Sequence, residues 1–134
     1  MRGLLPDPVC TPGAVNPAVT QANIAATICK TGWTATVRPP EAYTGALKRQ
    51  QMAAYGFSGR LSDYEEDHLI PLELGGHPTD PRNLWPEPGA SPNPKDAVEL
   101  AARDAVCAGR MPLGAAQQNI AQDWTALGRQ LGVA

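Results

Sequence analysis

Apolar positions at helical spacing dominate the first part of the chain. Asn16 followed by Pro17 has the pattern of an N-cap with proline in the first turn, and the apolar positions that follow predict a helix over residues 17–29. Residues 33–37 alternate apolar side chains with threonine, which predicts an extended segment. A second helix is predicted from about residue 40 to residue 55. This part of the chain is therefore expected to be mostly helical.

The pattern changes after residue 60, where short apolar runs are separated by glycine and proline. Residues 61–88 contain Gly75-Gly76 and several prolines, which favours a β-hairpin with a wide loop over a helix. We therefore expect the β-structure of the chain to lie here, with Trp85 in the core of the hairpin.

Two further helices are predicted after the hairpin. Asn93, Pro94 and Asp96 have the pattern of an N-cap, a first-turn proline and a capping box, so a helix should cover residues 94–107. In the last helix, apolar residues recur at steps of three and four: Leu113, Ala116, Ile120, Trp124 and Leu127. Such a stripe is more typical of core packing than of a binding face.

The predicted elements divide the chain into three segments of one domain. Residues 1–60 form an N-terminal helical segment, residues 61–107 a hairpin-plus-helix core, and residues 108–134 a C-terminal helix. A chain of 134 residues is long enough for one compact domain and too short for two with full cores. The expected fold class is α+β, a mostly helical single domain, and no apolar run approaches the roughly 18 residues of a membrane span.

Composition and charge limit the functions that the chain can perform. A hydrophobic content of 43% with 18% charged residues is ordinary for a folded protein and excludes a wholly disordered chain. The net charge of −2 is the opposite of the basic surface that binds nucleic acid through phosphates. Carboxylates that bind a divalent cation would account for part of the acidity. A tight, salt-resistant grip on DNA is not expected.

Three cysteines, Cys10, Cys29 and Cys107, lie far apart and form no CxxC pair, which excludes a zinc ribbon. Three pairings are possible, and three buried free thiols are an equal alternative. In an oxidising compartment we expect one disulfide involving Cys29, because Cys29 ends a predicted helix where Cys107 of another helix could reach it.

The most informative pattern is Asp67-His68, then Gly75-Gly76, then Asn83, in that order. It resembles the signature of HNH endonucleases, also called ββα-metal or His-Me finger nucleases, in which a β-hairpin and the following helix surround one divalent metal. The resemblance implies a metal-dependent endonuclease that acts on nucleic acid, with DNA a better candidate than RNA.

Shorter pieces resemble a subgroup of small bacterial HNH-like proteins that are often exported. These pieces are residues 10–13, 27–29 and 106–109. An exported or periplasmic location is therefore favoured over a cytoplasmic one, although residues 1–9 lack the apolar run of a signal peptide.

Hydrolysis of a phosphodiester needs a base that takes a proton from water and a group that stabilises the charge of the transition state. His68 is suited to the first task because the pKa of histidine lies near neutrality. Asp67 is expected to bind a metal that performs the second. Asn83 is expected to orient His68 through its side-chain amide or through the neighbouring backbone.

The resemblance also implies a metal ligand in the first turn of the following helix, where typical members have histidine or asparagine. Here that window holds Asn93, Lys95, Asp96 and Glu99. We expect Asp96 to be the ligand, with Glu99 and Asn93 behind it. An all-oxygen site favours Mg²⁺ or Mn²⁺ over Zn²⁺. Alternatively, Asp96 only caps the helix, and Lys95 and Glu99 form an ordinary surface pair.

Two other functions compete with the nuclease. One is a catalytically silent HNH-fold module that binds nucleic acid or protein, which the acidic pI and the missing helix histidine favour. The other is an exported structural protein held by a disulfide, in which Asp67 and His68 merely pair. His77 is interpreted as an exposed loop residue, with a metal or phosphate role as the alternative. For Trp85, stacking on a base is the alternative to a place in the hairpin core. No motif predicts sequence specificity or an oligomeric state.

Overall fold

An antiparallel pair of strands and four α-helices make up the fold in the computed structural model, which describes residues 5–89 and 93–133. The helices are α1 (Trp33–Val37), α2 (Glu41–Ala54), α3 (Pro94–Cys107) and α4 (Leu113–Leu131), and the strands are β1 (Tyr64–His68) and β2 (Leu84–Pro88). Short 3-10 helices cover Gln21–Ala26, Leu61–Asp63, Leu72–Leu74 and Pro81–Asn83. The prediction of a mixed helix and strand fold in a single compact domain is confirmed, while the HNH core stays a prediction.

The hairpin lies where the glycine- and proline-punctuated segment predicted it. β1 pairs with β2 in an antiparallel register that places Glu65 opposite Glu87 and Asp67 opposite Trp85. Within the described residues the sheet has only these two strands, so the second edge of β1 pairs with no strand. That edge is open to other elements.

Two N-terminal predictions were wrong. Residues 17–29 contain only the short 3-10 helix, and Asn16 does not cap it, because its Oδ1 accepts the backbone N–H of Ala18 at 2.9 Å in a local turn. Residues 33–37 form α1 instead of an extended segment. An extended segment needs a neighbouring strand for its backbone groups, whereas a helix satisfies them internally. Among the described residues β1 and β2 pair only with each other, so residues 33–37 have no partner strand.

The core lies between α3 and α4. The predicted stripe of α4 is buried throughout, and it packs in one apolar cluster with Val98, Ala102 and Val106 of α3. Ile70 and Leu74, from the loop between the strands, belong to the same cluster. The hairpin is therefore anchored to the helices through its loop. None of the described helices combines the length and the apolar character needed to cross a membrane.

One disulfide joins Cys29 to Cys107, with their Cα atoms 5.8 Å apart, and Cys10 is free and exposed. The predicted pairing is confirmed. Next to the bridge, Arg103 Nε donates to the carbonyl of Ile28 at 3.0 Å. The N-terminal segment is thereby held to the end of α3.

Candidate active site

A cleft of about 250 Å³ runs along the open edge of β1. Its other walls come from α1 and the residue after it, from the turn at residues 71–73, and from the first turns of α3. Six acidic side chains line it, together with His68 and Arg38. Asp67 and His68 would face opposite ways in the middle of a sheet, but both reach this cleft because it follows the strand edge.

His68 is held in one tautomer by the loop that follows. Its Nε2 lies 2.9 Å from the backbone carbonyl of Pro78. A carbonyl only accepts hydrogen bonds, so Nε2 carries the proton and the neutral ring keeps its lone pair on Nδ1. Burial lowers the pKa of His68, and the charge of Arg38 lowers it further. No described residue hydrogen-bonds Nδ1, so this atom is available as a base.

Asn83 makes no hydrogen bond to His68. The side chain is completely buried, accepts the N–H of Ile70 at 3.0 Å, and donates to the carbonyls of Ile70 and His77, both at 3.0 Å. Its backbone carbonyl accepts the N–H of Leu69 at 2.8 Å. The expected effect on His68 is therefore indirect, because the amide fixes the loop that presents Pro78.

Two glycines in the loop between the strands, Gly75 and Gly76, cannot be replaced by larger residues without strain or a clash. A Cβ at Gly76 would lie 1.7 Å from the carbonyl oxygen of Ile70, and Gly75 has φ +80°. His77 is half-buried rather than fully exposed, and its Nδ1 accepts the backbone N–H groups of Thr79 and Asp80 at 3.2 and 3.0 Å. His77 therefore shapes the loop instead of hanging free in solvent.

Lys95 is buried rather than being part of a surface pair. Its Nζ lies 3.0 Å from Asp67 Oδ2, 2.6 Å from Glu99 Oε2 and 3.1 Å from the carbonyl oxygen of His68. Burial opposes the charge of Lys95, yet Asp67 and Glu99 raise its pKa above the ordinary value. An ammonium group therefore lies among oxygen acceptors, as a bound cation would.

A second group of carboxylates was not foreseen from the sequence. Glu65, Asp67 and Glu87 each place an oxygen within 4.8 Å of the others. Glu65 and Asp67 are two residues apart on one face of β1, and Glu87 is opposite Glu65 on β2. The run of three acidic residues at positions 65–67 was a visible signal, because its first and third members share one face of a strand. Glu87 joined the group through the strand register, which the sequence alone did not specify.

Asn93 bridges part of this group from the N-terminus of α3. Its Nδ2 donates to Glu65 Oε2 at 2.7 Å and to Glu87 Oε1 at 3.1 Å. Its Oδ1 accepts the backbone N–H of Lys95 at 3.1 Å. The predicted site residue Asn93 therefore both starts the helix and contacts the carboxylates.

Asp96 has the capping role that the sequence left as the alternative. Its Oδ2 accepts the backbone N–H of Asn93 at 2.9 Å, which completes a capping box. Asp96 lines the cleft, but among the described residues the group with metal-binding spacing contains Glu65 and Glu87 next to Asp67. The carboxylates that lie close to Asp67 are thus Glu65 and Glu87, whereas the sequence predicted Asp96 as its partner.

The site holds more negative than positive charge. The ammonium of Lys95 contacts Asp67 and Glu99, and Glu65 and Glu87 lie beside Asp67. Burial raises the pKa of Glu87 to about 9 and also raises those of Asp67 and Glu99. Such a group gains stability by taking up protons or a further cation.

Glu66 lies on the strand face that also carries His68. Both of its carboxylate oxygens are buried without a hydrogen-bond partner, and burial raises its pKa to about 8. Lys48 of α2 opposes that rise. Sequence reasoning missed this residue, because a run of acidic residues does not show which of them lacks a partner.

No family model, curated protein or solved structure matches this chain. The resemblance to HNH endonucleases therefore depends on the motif residues themselves. What the site offers chemically is a neutral imidazole with an available nitrogen, a group of carboxylate oxygens, and a cleft lined by His68, Glu65 and Asp67.

Proposed function

We propose that the cleft hydrolyses phosphodiester bonds of nucleic acid, DNA in preference to RNA, in a metal-dependent reaction with His68 as general base. The observation that carries the proposal is the Nε2 contact of His68 with the Pro78 carbonyl, which leaves Nδ1 as the basic nitrogen. A base of this kind accepts the proton of the attacking water.

The carboxylates fit a divalent metal. Glu65, Asp67 and Glu87 supply oxygen ligands only, which suits Mg²⁺ or Mn²⁺ better than Zn²⁺. A bound metal would stabilise the charge that develops on the phosphoryl oxygens. We assign Asp67 as the central ligand, as the sequence predicted, with Glu65 and Glu87 in place of Asp96. Lys95 and Asn93 hold these carboxylates in position.

A catalytically silent binding module is the second candidate, and one observation favours it. The Lys95 ammonium already contacts Asp67, Glu99 and the His68 carbonyl, which is the set of contacts expected of a bound cation. In this alternative, Lys95 neutralises the site permanently and no metal binds.

An oxidising compartment accords with either function. The Cys29–Cys107 disulfide is typical of exported and periplasmic proteins and uncommon in the cytosol. We therefore propose that the protein acts outside the cytoplasm.

The decisive experiment incubates the protein with plasmid DNA and with RNA, in Mg²⁺, Mn²⁺ or Zn²⁺ and in a chelator. We expect cleavage that the chelator abolishes and that His68→Ala slows by two orders of magnitude or more, on the order of what a general base contributes. Metal binding, measured by calorimetry, should survive in His68→Ala. His77→Asn keeps an acceptor in the neighbouring loop and is the matched control.

Two outcomes contradict the nuclease. If no metal supports cleavage and calorimetry detects no metal binding, the silent module is the better description. If His68→Ala cleaves at the rate of the wild type, the base is a different residue.

A further inference from the structure

Basic residues are concentrated in the N-terminal part of the chain. Residues 1–60 hold six of the eleven basic residues but only two of the thirteen acidic ones. The overall charge of −2 conceals this separation. The fold brings part of this basic segment, at the end of α1, to the wall of the acidic cleft.

Arg38 is the basic residue of this segment that reaches the cleft. It directly follows α1, is exposed, and lines the cleft together with His68. It makes no ion pair with any described residue, although six acidic side chains line the same cleft. Pro39 and Pro40 follow it and restrict the backbone here, so the guanidinium projects from a fixed point.

Lys48 extends the positive charge along α2. Its charge acts on Glu66, which lies on the same face of β1 as His68. Lys48 forms no salt bridge in the described part of the chain, and the neighbouring Arg49 is exposed. Positive charge from α2 thus acts on the strand that carries His68.

An acidic cleft repels a polyanion, so a nucleic acid needs cationic contacts beside it in order to approach. A guanidinium binds phosphate through two parallel hydrogen bonds, and a lysine binds it as a point charge. The unpaired guanidinium of Arg38, which lines the cleft together with His68, provides such a contact for a phosphate of the strand.

We propose that Arg38 binds the phosphate of a nucleic acid strand at the cleft, so that the strand passes over the end of α1 to reach His68. The inference rests on the proposed function for the kind of ligand, but it concerns binding, which is measured separately from cleavage.

The test measures binding of a fluorescent 20-residue DNA, single-stranded and duplex, by anisotropy at several salt concentrations. Binding is measured to the wild type in chelator, and to a His68→Ala background in Mg²⁺ so that no cleavage interferes. Arg38→Gln should weaken binding on the order of tenfold and reduce the salt dependence by about one phosphate contact. Arg38→Lys should lose less than Arg38→Gln, because it keeps the charge but not the paired hydrogen bonds.

Arg110→Gln is the matched control. Arg110 is exposed just beyond the far end of α3, and that end lies about 12–17 Å along the helix axis from the α3 residues that line the cleft. The Arg110→Gln variant loses the same charge as Arg38→Gln and should leave the affinity for DNA and its salt dependence unchanged. Equal effects of Arg38→Gln and Arg110→Gln would overturn the proposal, as would a wild-type protein that binds no DNA under either condition. Absence of cleavage with intact Arg38-dependent binding would instead overturn the nuclease and leave this inference standing.

Discussion

The Nζ of Lys95 lies 3.0 Å from Oδ2 of Asp67, and the two side chains are only 1% and 7% exposed. Removing two charges from water is costly, and their attraction offsets that cost only when the geometry is good and the remaining donors are satisfied. Here Glu99 and the carbonyl of His68 accept the other hydrogen bonds of the ammonium. The pair therefore joins α3 to the strand that carries His68.

Lys95→Met should destabilise the protein by about 3–5 kcal/mol, because it leaves Asp67 and Glu99 buried without their cation. Urea denaturation followed by circular dichroism measures this loss. Lys30→Met, at an exposed position, is the control and should change stability by less than about 0.5 kcal/mol. A loss below about 1 kcal/mol for Lys95→Met would mean that the buried pair contributes little.

Stability should fall as the pH rises from 7 to 9 in the presence of a chelator. Burial raises the folded-state pKa values of Glu66 to about 8 and of Glu87 to about 9, so the folded protein binds more protons than the unfolded chain in this range. Each of these two carboxyl groups contributes its full stabilisation at a pH below its unfolded-state pKa. That contribution is lost as the pH rises through its folded-state pKa.

Thermal melts over this pH range provide the measurement. Glu87→Gln should flatten the pH dependence, and Mg²⁺ should flatten it in the wild type if the carboxylates bind the ion. A wild-type stability that increases between pH 7 and pH 9 in chelator would contradict the assignment of these raised pKa values.

The cleavage rate should depend on the neutral form of His68. Burial lowers the pKa of His68 below its usual 6.5, so the imidazole is already neutral at pH 7 and the rate should fall only in more acidic solution. Cleavage rates measured between pH 4.5 and pH 8 test this. A rate that continues to rise tenfold per pH unit above pH 7 would point to a different base.

Variants of Asp96 separate a helix cap from a metal ligand. Asp96→Ala should cost about 1 kcal/mol because it removes the acceptor of the Asn93 N–H, and Asp96→Asn should cost less because it keeps an oxygen there. Glu65→Gln and Glu87→Gln should each weaken metal binding in calorimetry, whereas Asp96→Asn should not. Loss of metal binding in Asp96→Asn alone would restore the ligand expected from the sequence.

Replacing Cys29 and Cys107 together by alanine should lower the free energy of unfolding by about 2–5 kcal/mol, because the bridge closes a long loop in the unfolded chain. Denaturation under non-reducing conditions measures the loss. Cys10→Ser is the control and should have no effect, since Cys10 is exposed and free. Mass spectrometry that detects three alkylatable thiols in native protein would contradict the disulfide.

Local signals in the sequence were sufficient for several elements. Asn93, Pro94 and Asp96 predicted the start of α3, because N-caps and first-turn prolines act through the nearest backbone groups. The spacing of apolar residues predicted the buried face of α4 in the same way. Asp67 and His68 were recognised as neighbours on one strand, and both line the cleft.

Tertiary structure decided the rest of the candidate site. Glu87 joins Glu65 only through the register of two strands, and Lys95 becomes buried only because α3 packs beside the hairpin. The segment at residues 33–37 has a strand-like pattern but forms a helix, since no described strand pairs with it. Residue type and spacing set what each segment can do locally. Burial, register and charge pairing depend on segments far apart in the chain, so the sequence by itself could not determine which acidic residues share a cation.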